Sequence, residues 1–314
     1  METTFWGPSG WKLLHTLAYL YPNDNSRIAP YHSETYKLFY NHLKYILPCK
    51  YCRQSIKNFM NTLPIEPSIK SKVALTKWMF GIHNKVNNKL RKQRYCTYPN
   101  PSIITVDNNY SKLLGEIVIN ARRKHINPLT AFAYLGNDFI GSIIYNYRGH
   151  VISCQDNQKV KEINKHYDDF FQLLAKISYL ALQELIYRTQ DNIIDNELVE
   201  KVMKYYRENP LNEILKGEDD RMIKHKFNDR LNKNADELEM WYYKLYCIIT
   251  DKNCTPKKQF DGYFKEHIVG TCNNSQPSAT IKTCRLNPIG DMGKKSSGLR
   301  FNNKTIKKSI SRVL

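Results

Sequence analysis

Apolar positions recur at helical spacing through most of the first hundred residues. In "SGWKLLHTLAYLY" (9–21), Leu13, Leu14, Leu17 and Leu20 supply apolar faces, Ser9 stands as an N-cap and Pro22 as a stop, which predicts a helix. Trp11, His15 and Tyr19 fall at i, i+4 and i+8 and share one stripe of it. A second helix is expected over 33–47, capped by Ser33, with Tyr36, Phe39, Tyr40, Leu43 and Leu47 at helical spacing and Pro48 ending it. Cys49 and Cys52 begin a third, "CKYCRQSIKNFMNTL", which turns Ile56, Phe59, Met60 and Leu63 inward. A fourth starts at Ser71 and carries Val73, Trp78, Met79, Ile82, Val86 and Leu90. Four amphipathic helices with short connections predict a helical bundle.

Beyond it, "CTYPNPS" reads as a linker, because two prolines force extended backbone. "IITV" (103–106) predicts a short strand. Residues 110–125 and 129–146 look helical, the latter broken by Gly136 and Gly141. Further helices are expected over 160–187, 195–208 and 219–249. The fold class is therefore mainly all-α: a four-helix bundle over 1–96, a second, mostly helical domain of unknown fold over 97–272, and a tail over 273–314. No internal repeat is visible.

Charge sharpens these boundaries. The net +19 divides into +11 over residues 1–96, zero over 97–272 and +8 over 273–314. The tail is rich in Ser, Asn, Gly and Lys and poor in apolar residues, so disorder is expected there. Its cations suit nucleic acid or an anionic surface by counterion release, or else a plain solvated tail. No apolar run reaches the ~18 residues of a membrane span, so no span is expected. The start "METTFWGPSG" lacks a basic region followed by an apolar one, so no signal peptide is apparent and a cytoplasmic location is expected.

"PCKYC" admits three chemistries. A structural zinc site needs four ligands, and only His83 and Cys96, at irregular spacing, offer to complete one, so no metal ligand is assigned. A thioredoxin-like pair needs a strand before it, and the flanks are helical. A redox dithiol at a helix N-terminus suits the sequence, with Lys50 and Arg53 beside the sulfurs to favour a thiolate. A dithiol that generates disulfides must pass two electrons onward, and a flavin accepts them. "HNKVNNKL" (83–90) places His83, Asn84 and Asn87 beside Val86 and Leu90, with Lys89 next to them. That row and the stripe of Trp11, His15 and Tyr19 would suit a large flat ligand; the stripe is equally compatible with an ordinary core containing a satisfied histidine.

"WGPSGWKLLHTLAYLYP", "CKYC" and "W…HNKVNNKL…C" together resemble the FAD-linked sulfhydryl oxidases of the Erv/Alr family over about residues 5–96. The Asn- and Lys-rich form looks most like members coded by large nucleocytoplasmic DNA viruses, mimivirus relatives among them. The resemblance implies a helical bundle holding FAD, usually as a homodimer, that makes disulfides in protein dithiols (a thioredoxin-like or virion protein among them) and passes electrons to O2 to give H2O2. It implies that Cys49 exchanges with the incoming dithiol and Cys52 lies against the isoalloxazine. Trp11, His15 and Tyr19 match the first flavin-contacting helix; His83, Asn84, Val86, Asn87 and Lys89 match the second; Gly7 and Pro8 match the segment over the cofactor. It also implies a location in the host cytosol, a viral factory or the virion. Phe80 stands where cellular members have a cysteine, which leaves Cys96 without that partner.

Cys247 and Cys254 flank a turn and are expected to form a local disulfide. Cys272 and Cys284 have the spacing of a shuttle pair that relays electrons to the CxxC. The rival reading is a basic nucleic-acid-binding or virion structural protein with an incidental or zinc-bound CxxC.

Overall fold

The computed structural model describes residues 3–94, 97–152, 156–190, 196–215, 224–250 and 254–268. Cys96, Cys154, Cys272, Cys284 and the tail over 273–314 lie outside the described residues. The bundle consists of α1 (Thr3–Tyr19), α2 (Pro30–Ile46), α3 (Lys50–Thr62) and α4 (Lys72–Lys92). Ser71 caps α4 as expected, accepting from the Ala74 amide at 3.1 Å. Two starts differ. α2 begins at Pro30, where a missing N–H costs nothing in a first turn. α1 begins before Ser9 and runs through Pro8; Ser9 instead donates to the Leu135 carbonyl at 2.6 Å, deep in the protein.

Two large rings of the bundle core reach backbone carbonyls of neighbouring helices. Tyr40 donates to Leu14 O at 2.8 Å and Trp78 Nε1 to Leu63 O at 2.9 Å, so these two rings are buried without stranding their polar tips.

The chain continues through α5 (Ile103–Lys124), α6 (Pro128–Tyr145), α7 (Tyr147–Ile152), α8 (Asn157–Thr189), α9 (Asn196–Glu208), α10 (Leu211–Ile214), α11 (Lys224–Thr250) and α12 (Lys257–Lys265). There is no strand among the described residues. The expected strand at 103–106 is the first turn of α5, because Ser102 caps it by accepting from Thr105 N at 3.1 Å. α6 is also unbroken. A Cβ on Gly136 would stand 2.7 Å from Leu13 Cδ2, and one on Gly141 would stand 2.1 Å from Phe264. These glycines mark where α6 touches α1 and α12. α6 is buried almost all round, which explains its nearly unrelieved apolar sequence.

The appended helices share one continuous core with the bundle: α6 packs on α1, and α8 on α2, where Phe39 and Phe170 stack at 5.5 Å. α8 also closes the end of α1. Arg188 donates to the Tyr19 and Tyr21 carbonyls at 2.8 and 2.7 Å, and its Nε to Glu184 at 2.8 Å. Glu184, only 2% exposed, is paired on its other oxygen with Arg27 at 2.7 Å. Cys247 and Cys254 form the expected disulfide between α11 and the start of the last helical segment. No helix among the described residues is long and apolar enough to cross a membrane.

Candidate active site

Cys49 occupies the N-cap of α3 in extended backbone, and its carbonyl accepts from the amides of Cys52 and Arg53 at 3.0 and 2.9 Å. Cys52 follows in the first turn, so both sulfurs sit at the positive end of the helix dipole. Both are free thiols. Cys49 is 6% exposed and Cys52 half-buried, so the cysteine expected to meet the substrate is the less accessible one.

A hydrogen bond from the Cys52 thiol draws Cys49 down to about 6, helped by the Cys52 and Tyr51 amides and by Arg53 and opposed by burial. The same bond pushes Cys52 up, as does burial, against the pull of Lys89 and Arg53. The reduced pair thus carries one thiolate, on Cys49, with its proton partner held on Cys52. Arg53 is itself oriented by donating to the Leu47 carbonyl at 2.6 Å.

Lys89 donates to Ser55 Oγ at 2.6 Å, tying α4 to α3 one turn beyond Cys52. Farther up α4, His83 stacks on Trp11 with ring centres 3.9 Å apart and planes 11° apart. Its Nδ1 meets His15 Nε2 at 3.1 Å. Burial lowers His15 to about 3, with a smaller push from His83, and burial lowers His83 to about 4. The two imidazoles are therefore neutral at pH 7, one donating and the other accepting.

Tyr110 was not among the expected site residues. Its ring stacks on His15 at 4.8 Å and on Tyr19 at 5.4 Å, and its hydroxyl donates to Trp11 O at 3.3 Å. The spacing of Tyr110, Leu113, Ile117 and Ala121 marks its helix, but not which stripe that helix lies across. The structure thus joins Trp11, His15, Tyr19 and His83 directly or through Tyr110, and sets Lys89 beside the dithiol. Asn84, Val86 and Asn87 lie half-buried along α4. Gly7 and Pro8 fall in the first turns of α1, and a Cβ on Gly7 would meet nothing within 4 Å.

His15 Nδ1 and the Tyr19 hydroxyl are buried without a hydrogen-bond partner. Unmet polar atoms among flat rings, with a cation at one end, form the donor set of a planar, hydrogen-bonding heterocycle that carries phosphate, and the residues fit a flavin nucleotide. Neither cysteine belongs to a cluster of three or more metal-ligating groups among the described residues, and Cys96 lies outside them.

The Erv1 / Alr family model matches residues 8–109. The mitochondrial FAD-linked sulfhydryl oxidase ERV1 of Saccharomyces cerevisiae is 34% identical over 93 residues, 29% of this chain and 47% of the yeast protein, so this chain spans about half the yeast protein's length. A protein of Acanthamoeba polyphaga mimivirus, named "Probable FAD-linked sulfhydryl oxidase R368", is 35% identical over 102 residues, 32% of this chain and 67% of the mimivirus protein. The FAD-linked sulfhydryl oxidase of African swine fever virus is 31% identical over 90 residues, 28% of this chain and 70% of the viral protein. No solved structure matches the chain.

Proposed function

We propose that this chain, which belongs to the Erv1/Alr family, is a thiol oxidase that converts pairs of protein thiols to disulfides through Cys49 and Cys52. FAD is its cofactor and, when bound, supplies the two-electron acceptor that hands electrons on to O2, giving H2O2. A substrate thiolate attacks the Cys49–Cys52 disulfide at Cys49; a substrate–Cys49 bond forms and the Cys52 sulfur leaves. The second substrate thiol then displaces Cys49, so the substrate gains its disulfide and the pair is left as thiolate and thiol. Lys89 and Arg53 stabilise the departing charge on Cys52, and the α3 dipole that on Cys49.

Trp11, His15, Tyr19 and His83 would hold the ring of the cofactor, Asn84, Val86 and Asn87 its adenosine end, and Lys89 a phosphate. Gly7 and Pro8 would lie over it. Residues 1–96 carry this chemistry, and 97–272 serve substrate recognition or a homodimer interface. The substrates are thioredoxin-like or virion proteins, met in the host cytosol, a viral factory or the virion; viral relatives support that setting. Cys272 and Cys284 act as the shuttle. Cys284→Ser should then slow turnover of a protein substrate while leaving that of dithiothreitol unchanged, and unchanged rates with both would remove the shuttle.

One observation carries the reading: a dithiol at a helix N-terminus, linked through Ser55 and Lys89 to the helix whose His83 stacks on Trp11. The visible spectrum of the purified chain tests it. A flavin band should bleach with dithiothreitol under nitrogen and return with air; a colourless protein that gains no band with added FAD would sink the proposal. The order of attack is tested separately. Mixed with the substrate in its disulfide form, Cys52→Ala should accumulate a mixed disulfide by attack of Cys49 on that bond, and accumulation in Cys49→Ala instead would reverse the two roles.

A further inference from the structure

Where α8 lies on α2, three side chains turn their ligand atoms toward one another. His42 comes from α2, and His166 and Asp169 lie one turn apart on α8. One nitrogen of each imidazole and one carboxylate oxygen all fall within 4.8 Å of one another, and all three residues are half-buried. Two ligands at i and i+3 on one helix and a third from the facing helix is how helix pairs assemble an ion site.

The hydrogen bonding identifies the binding atoms. His42 Nδ1 lies 2.9 Å from the Leu38 carbonyl, which can only accept, so Nδ1 carries a proton. His42 Nε2 then faces Asp169 Oδ2 at 3.6 Å, too long for a hydrogen bond. Ligand bonds of about 2.0–2.1 Å in a tetrahedral zinc site set neighbouring ligands roughly 3.4 Å apart, close to this separation. Neither nitrogen of His166 has a hydrogen-bond partner. Its ring is fixed in plane by Tyr45, stacked at 3.9 Å and 5°. Lys165 sits 2.6 Å from Asp169 Oδ2, but its side chain is 72% exposed and free to yield. Glu162 Oε1 is 3.8 Å from His166 Nε2, within reach as a fourth ligand.

We propose that His42, His166 and Asp169 bind a zinc-class divalent ion that clamps α8 to α2. Imidazole and carboxylate ligands suit that ion, and none of the three is a residue of the dithiol or the aromatic stack. The probe is zinc chloride, titrated calorimetrically into the full flavin-loaded chain after dialysis against a chelator. Cys49 and Cys52 are kept oxidised so that they cannot ligate.

The expected result is saturable binding of one zinc per chain that raises Tm. His166→Ala and Asp169→Asn should each weaken binding by more than about 10-fold while the flavin spectrum stays unchanged. Lys165→Ala, on the exposed side, should tighten binding by releasing Asp169. Absence of saturable zinc binding in the parent chain would overturn the proposal, whatever the variants do. Undiminished binding in both His166→Ala and Asp169→Asn would overturn it too, since the ion would then sit elsewhere.

Discussion

At the scale of single residues, the reactivity of the site turns on one proton shared by two sulfurs. In the reduced chain, iodoacetamide should label Cys49 with a midpoint near pH 6, and Cys52→Ala should raise that midpoint by removing the donor. Mass spectrometry of labelled peptides across a pH series checks this; a midpoint at an ordinary thiol value in the parent would contradict it. Tyr19 offers a second test. Its hydroxyl is buried without a partner, so Tyr19→Phe should stabilise the flavin-free chain by about 1 kcal/mol in urea unfolding and weaken flavin retention. The stripe of Trp11, His15 and Tyr19 was legible because helical spacing alone stacks such residues. Tyr110 was not, because its contact depends on the angle at which α5 returns across α1, and no local pattern encodes that.

At the scale of elements, the misread features share a cause. Gly136 and Gly141 read as helix breakers because glycine is a poor helix former, yet each is a contact point whose reason lies in another helix, Leu13 of α1 and Phe264 of α12. The β-branched residues 103–106 likewise read as a strand until Ser102 is seen to cap a helix. Gly141→Ala should therefore cost about 1–3 kcal/mol by overpacking against Phe264. Gly115→Ala in α5, where a Cβ meets nothing within 4 Å, should instead stabilise the chain by about 0.5–1 kcal/mol. Urea midpoints of the two variants, shifted in opposite directions, would show packing and propensity separately. The helices of the bundle were legible because each repeats its apolar positions over three turns or more; what joins them to the rest was not, since no local pattern marks Arg188 and Glu184 as the pair that docks α8 on the end of α1.

At the scale of the whole molecule, three histidines, one buried and two half-buried, are held in their neutral form. His15 and His150 are lowered to about 3 and His83 to about 4, in each case mainly by burial. Their folded values lie below that of a free imidazole, so the unfolded chain binds more protons between those values and pH 6.5. Stability should be complete above pH 6.5 and fall as pH drops through it, by about 1.4 kcal/mol per pH unit for each group. Thermal unfolding from pH 7.5 to pH 4.5 checks the sign; a Tm unchanged across that range would contradict it. Because the core is continuous from α1 to α12, that loss should appear as one transition.

The hydrogen bond from Ser9 to Leu135 joins positions 126 residues apart. Translation at about 5–20 residues per second makes that a wait of roughly 6–25 s between the emergence of α1 and the arrival of the helix that covers it. Through that interval the side of α1 that meets α6, Leu13 with it, stands open to whatever surrounds the ribosome. The appended helices therefore set when the first part of the chain can close, and slow codons between them lengthen the exposure in proportion.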